Sequence, residues 1–202
     1  MTMVLRSGSE VAVGGRHDDP DATLVVRAQR GEREAFEELV RRHADPIYAL
    51  ARRLGLPKQA AEDVAQEAFL RAWRGIAGFR RDARFSTWLY SIAVNESKRW
   101  LVRERRRAPL RSLDEGDISS EQRDERAELR VVQAEWQEAL QCAVRALPLK
   151  YRAPLILRDV EGLSTAEGAA ILGLREAAFK SRLHRARLAV RDRLDDETRG
   201  AR

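Results

Sequence analysis

The residues able to do chemistry in this chain fall into two cationic runs and one acidic one. The run FKSRLHRAR, Phe179 to Arg187, stands beside an apolar stripe: Phe179, Leu183, Ala186, Val190 and Leu194 recur at steps of four, three, four and four. At about 100° per residue that stripe is one face of a helix, and Lys180, Ser181, His184 and Arg185 point well away from it. The cationic face is either a solvated surface or a row of groups able to reach phosphates and base edges. The second run, FRRDARFSTWLYSIAVNESKRWLVRERRR, interleaves Phe79, Phe85, Trp88, Tyr90 and Trp100 with many cations. Aromatic rings stack on unpaired bases while cations follow the backbone, which suits a single strand better than a duplex. Trp88, Leu89 and Ile92 fit a helix core equally well. Asn95 stands apart, a polar amide on a largely apolar stretch, able to bond a base edge.

The acidic run holds Glu62, Asp63 and Glu67. No second carboxylate group is placed to complete a magnesium cluster of the kind a nuclease uses, and His17, His43 and His184 are too scattered for a metal site. The expectation is therefore no catalytic residue, no metal and no cofactor. His43 belongs in a core. Cys142 lies near the apolar face of the Leu129–Leu147 segment and reads as a buried small hydrophobe rather than a redox sensor.

The elements that must position these groups are helical. With 202 residues the chain is long enough for one large domain or two small ones, and 35% charged residues with a net charge of +6 suggest either a polyanionic partner or simply a basic surface, which charge alone does not distinguish. A single cysteine excludes a disulfide framework and fits a reducing cytoplasm. No apolar run approaches the ~18 residues of a membrane span, so no membrane insertion is expected. Residues 1–20, rich in Gly, Ser and Asp, read as a disordered extension.

From Asp21 apolar residues recur at helical spacing: Leu24, Val25 and Ala28, then Phe36, Leu39, Val40, His43, Ile47, Leu50 and Leu54. Gly55 to Pro57 stops that helix, and the next keeps Val64, Ala68, Trp73 and Ile76 on one side. The aromatic-basic segment ends a first helical domain, 21–107. Residues 108–128 carry seven acidic residues against three arginines and read as a flexible acidic linker. A second domain, 129–195, opens with Leu129, Val132, Trp136, Ala139 or Leu140, Ala143 and Leu147 at helical spacing, leaving 196–202 as a disordered tail. Within it Ser164 and Glu167 have capping-box spacing, Gly173 closes that helix, and EAAFKSRLHRAR begins another. A short helix, a Gly-containing turn and a longer basic helix make a helix-turn-helix, which presents its second helix to the major groove. The fold class is all-α, two small helical domains joined by the linker.

The blocks DVAQEAFLRAW, FSTWLYSIAVN, LPLKYRAPLILRDVEGLSTAE and KSRLHRAR together resemble the extracytoplasmic-function (ECF) group of bacterial sigma factors. That resemblance implies a cytoplasmic transcription-initiation factor, of a group used in stress responses, with RNA polymerase core, promoter DNA and an anti-sigma factor as partners. It implies that Asp63, Gln66, Glu67 and Arg71 dock on polymerase. Phe85, Trp88, Tyr90, Asn95, Lys98, Arg99 and Arg103 would meet the downstream element as it melts, Asn95 helping to hold a flipped base. Lys180, Ser181, Arg182, His184 and Arg185 would meet the upstream element as duplex, and the acidic linker would thread the polymerase's basic channel. A stand-alone helix-turn-helix regulator binding duplex DNA is the alternative, but the docking and aromatic-basic blocks have no use in it. Two departures stand out: Gly168 where the family usually has a branched apolar residue, and Ala177, Ala178 and Phe179 where it usually reads Gly-Thr-Val. Phe179 is expected to fill the volume that Gly168 vacates.

Overall fold

Helices carry the chain through the described residues, 19–107 and 127–200 of the computed structural model, and no strand occurs among them. In order they are α1 (Ala22–Gln29), α2 (Arg33–Arg53), α3 (Lys58–Gly75), α4 (Phe85–Arg107), α5 (Ala127–Arg145), α6 (Leu149–Leu155), α7 (Thr165–Leu172) and α8 (Glu176–Gly200). A 3-10 turn at Ile76–Gly78 follows α3, and a π-helical turn at Ile156–Val160 follows α6. Residues 1–18 and 108–126, most of the expected extension and linker, lie outside the described residues. The structure departs from the expected boundaries at both ends. Asp19, assigned to the extension, accepts from the backbone N–H of Asp21 at 3.0 Å and of Phe85 at 2.9 Å. It thereby satisfies an orphan donor at the start of α4. At the other end α8 continues to Gly200, past the last residue of its apolar stripe.

The α2, α3 and α4 stripes meet as the sequence pattern requires. Leu39, Ile47, Leu50, Val64, Ala68, Ala72, Phe85, Leu89 and Val94 are all buried in one cluster. Helix α2 runs through Pro46, where the missing N–H removes one helical bond. Buried Ile47 and Leu50 directly beyond it hold the helix to the core. His43 packs as expected: its Nε2 lies 2.6 Å from Asp21 Oδ2, and its ring centroid 5.4 Å from that of Phe85.

In the helix-turn-helix the capping box is complete. The Glu167 N–H donates to Ser164 Oγ at 3.2 Å and the Ser164 N–H donates to Glu167 Oε2 at 2.9 Å. Gly173 ends α7 at φ +64°, the left-handed conformation that favours glycine. Phe179, Leu183, Ala186 and Val190 are buried. A Cβ on Gly168 would lie 2.6 Å from Phe179 Cζ and 2.7 Å from Cε2. The ring occupies the space a branched side chain would need, so the two departures form one exchange. Asp159, on the π-helical turn, grips Arg187 of α8 with both oxygens, at 2.6 and 3.0 Å.

Two expectations for α5 fail. Cys142 is exposed, because α5 enters the core through Ala143, and the neighbouring position turns about 100° away from that face. Trp136 is 55% exposed, two turns before Ala143 and beyond the buried cluster that Ala143 joins.

The two helical regions pack against each other. Ala153, Ile156, Leu157 and Ile171 of the second half share the buried cluster of α2–α4.

Candidate nucleic-acid interface

Helix α8 presents the surface its pattern promised. Lys180, Ser181, His184 and Arg185 are exposed, while Arg182 is half-buried. The grip of Asp159 on Arg187 and the Phe179 anchor fix the direction in which that face points. Arg185 also lies beside Tyr151, and its guanidinium, with Lys150, lowers the pKa of that hydroxyl.

The aromatic-basic helix α4 divides its residues differently from expectation. Phe85 is fully buried against His43, Phe79 and Trp88, so it is a core residue and cannot stack on a base. Trp88 is half-buried, stacked on Phe79 at 4.7 Å and 18°, with part of its ring lining an open groove between α3 and α4. Asn95 is exposed in that same groove, whose other walls are Arg71, Arg74, Ile92, Glu96 and Arg99. The groove therefore combines an aromatic edge, an amide and fixed cations, the groups that hold an unstacked base. Arg103 is exposed in a second groove, with Asp63, Glu67 and Trp100.

Tyr90 and Lys98 face the helix-turn-helix instead. The Tyr90 hydroxyl donates to Glu161 Oε2 at 3.0 Å, and Arg53 Nη1 donates to Glu161 Oε1 at 2.7 Å. Burial, then the Glu161 charge, pushes the Tyr90 hydroxyl well above the usual tyrosine range, so it stays a donor. The Thr87 hydroxyl donates to Glu167 Oε1 at 3.3 Å, so the capping glutamate also ties α7 to α4. Lys98 is half-buried, and burial and the neighbouring Arg182 lower its pKa. In this arrangement a cation of the α4 set and one of the α8 set sit side by side.

On α3, Asp63 and Gln66 are exposed, as is Arg71, and Glu67 is half-buried with its carboxylate 2.8 Å from Arg71 Nε. Leu70 and Trp73 are exposed too, at 50% and 37%. Positions 63, 66, 70 and 73 follow helical spacing, so acid, amide and two large apolar side chains form one outward stripe. Trp73, set by the sequence pattern on one side with buried Val64, Ala68 and Ile76, is instead part exposed, its ring tilted 56° against Phe36 with 4.9 Å between centroids. An apolar pair rimmed by polar groups has the composition of a protein contact surface. Leu70 and Glu96 escaped the sequence reading. For Glu96 the signal was its i,i+3 spacing to Arg99.

No group of three or more metal-ligating side chains is gathered among the described residues, and no helix among them is long and apolar enough to cross a membrane.

Two family models match the chain: Sigma-70 region 2 over residues 39–107, and Sigma-70 region 4 over residues 137–190. The chain is 36% identical to the RNA polymerase sigma-H factor of Pseudomonas aeruginosa over 178 residues, 85% of this chain and 92% of that one. It is 35% identical to the ECF RNA polymerase sigma-E factor of Escherichia coli over 178 residues, covering 84% and 92%. Among solved structures, CnrH in complex with the cytosolic domain of CnrY is similar at 29% identity and a TM-score of 0.65, covering 88% of this chain and 99% of that one. Both halves of the fold, the capped helix-turn-helix and the α3–α4 pair, thus have their counterparts in one family, and this chain belongs to the ECF sigma factors of bacterial RNA polymerase.

Proposed function

We propose that residues 21–107 dock on the polymerase core and hold melted promoter DNA, that 129–195 read the upstream element as duplex, and that 108–128 connect them through the polymerase's basic channel. The α3 stripe of Asp63, Gln66, Leu70 and Trp73, with Glu67 and Arg71 beside it, is the docking face. The groove of Trp88, Asn95, Arg71 and Arg99 takes an unpaired base, and Arg103 follows the backbone. Lys180, Ser181, Arg182, His184 and Arg185 meet the upstream duplex. The chain performs no covalent chemistry and acts in the cytoplasm, where an anti-sigma factor competes with polymerase for it.

The observation that carries this reading is Asn95, an exposed amide in a groove that also holds an aromatic ring and paired arginines. An amide with both donor and acceptor recognises a base edge, and the Watson–Crick edge is open to it only when the base is unpaired. Transcription in vitro with core polymerase on a genomic promoter pool tests the class: transcripts that require this protein support it. Asn95→Ala tests the groove. Permanganate reactivity of the downstream element should fall while upstream protection persists, and a pre-melted template should restore part of the activity. A mutant that a pre-melted template fails to rescue at all would exclude the role given to Asn95.

A further inference from the structure

Glu96 follows Asn95 directly on α4, and its side chain is only 10% exposed. Its Oε1 accepts from Arg99 Nη1 at 2.7 Å and lies 3.0 Å from Arg71 Nε. Arg71 in turn reaches Glu67 at 2.8 Å, so a chain Glu67–Arg71–Glu96–Arg99 crosses from α3 to α4. That chain is a partition. One side is the groove of Asn95 and Trp88; the other is the groove of Asp63, Trp100 and Arg103; Arg71, Glu96 and Arg99 line both.

A buried carboxylate is unfavourable on a surface that meets phosphates, because it repels them and loses hydration. What it contributes here is fixity. An unrestrained arginine follows whichever phosphate is near and is blind to sequence. A guanidinium gripped by a carboxylate keeps its remaining N–H groups in set directions, which discrimination between bases requires. We propose that Glu96 is a positioning residue for base selection: it holds Arg71 and Arg99 as a wall of the Asn95 groove and withdraws them from free phosphate binding. This rests on the groove being the site of an unpaired base.

The test uses the full chain and three fluorescein-labelled single strands, dT12, dA12 and dC12, followed by anisotropy between 50 and 200 mM salt. In wild type the three affinities should differ. In Glu96→Gln the spread should shrink about 5- to 10-fold, the size of a lost base-edge contact. The salt slope should steepen by roughly 0.7 to 1.4, one or two newly engaged phosphates. An unchanged spread and slope overturns the proposal, and a wild type that binds all three strands equally overturns it too. Asn95→Ala separates the two readings. If it leaves the spread intact, the groove is not the base site. If it removes the spread while Glu96→Gln does not, the groove stands and only the positioning role falls. Should Glu96→Gln melt below the assay temperature, Arg99→Gln decides, since that side chain is 62% exposed and its loss spares the fold. Its spread should shrink while its slope stays near the wild-type value, and a full wild-type spread in Arg99→Gln refutes the proposal.

Discussion

Helix α8 and the α3–α4 groove both carry cations and hold them in different ways. On α8, Lys180 and Arg185 project from a helix that is anchored from behind, by Phe179 in the core and by Asp159 on Arg187. In the groove the cations themselves are held, Arg71 and Arg99 sharing Glu96. Projecting cations give affinity that any duplex satisfies and that salt removes. Gripped ones give direction and therefore selection. Cation counts alone do not distinguish a surface that steers from one that reads.

The largest effect that breaks the comparison lies on α3. Asp63→Arg with Glu67→Arg should abolish binding to core polymerase, by 100-fold or more, since like charge placed against a docking partner costs roughly several kcal/mol. The fold should persist, because Val64 and Ala68 carry the buried side of this helix. Reversal on α8, Lys180→Glu with Arg185→Glu, should leave core binding intact and remove duplex binding. Native-gel binding of both double mutants checks the pair. Equal loss of core binding in the two would mean that the docking face is not confined to α3.

Next in size is the salt response of the free chain on promoter duplex. Binding should be weak and steep in salt, and neutralising Lys180 and Arg185 to Gln should flatten the log–log slope by about 1.8, two phosphate contacts. A tight, salt-resistant complex on a palindromic site would instead favour the stand-alone regulator.

The Gly168–Phe179 exchange is smaller and sharper. Gly168→Ile should overpack against the ring and cost ~1–3 kcal/mol, and Phe179→Val should leave a cavity costing as much or more. The double mutant should recover much of both, with a coupling of about 1 kcal/mol or larger in urea melts of the full chain. Strictly additive losses would separate the two positions.

How far the sequence was legible follows the range of the forces involved. Ser164, Glu167 and Gly173 act within one turn, so α7 and its cap were readable residue by residue. The Phe179–Val190 stripe was readable because its period names a face. Phe85, Trp73 and Trp136 were misassigned because an aromatic ring is core or surface only by virtue of which neighbour covers it. Cys142 failed by a single helical step. Tyr90 was assigned to DNA from composition, but its partner Glu161 is 71 residues away. No local pattern reports such a pairing.

The smallest expected effect concerns that pairing, which in this arrangement keeps the two surfaces from acting apart. Glu161 is nearly buried, its side chain 8% exposed, and its oxygens are taken by Arg53 and Tyr90, both from the first half of the chain. Glu161→Gln keeps the size but removes the charge and turns an amide N–H₂ toward one of two donors. One hydrogen bond to a charged group should go, at about 1–2 kcal/mol. Thr87→Val removes a neutral donor from Glu167, whose carboxyl keeps its Ser164 N–H bond, and should cost only about 0.5–1 kcal/mol. Because Cys142 is the one cysteine and is exposed, a dye there and another at Lys58→Cys reports the distance between the halves. Energy transfer in the free chain should fall for Glu161→Gln and fall less for Thr87→Val, with helix content unchanged. Wild-type transfer in both variants would show that the shared apolar cluster of Ile156, Leu157 and Ile171 holds the halves together without help from Glu161.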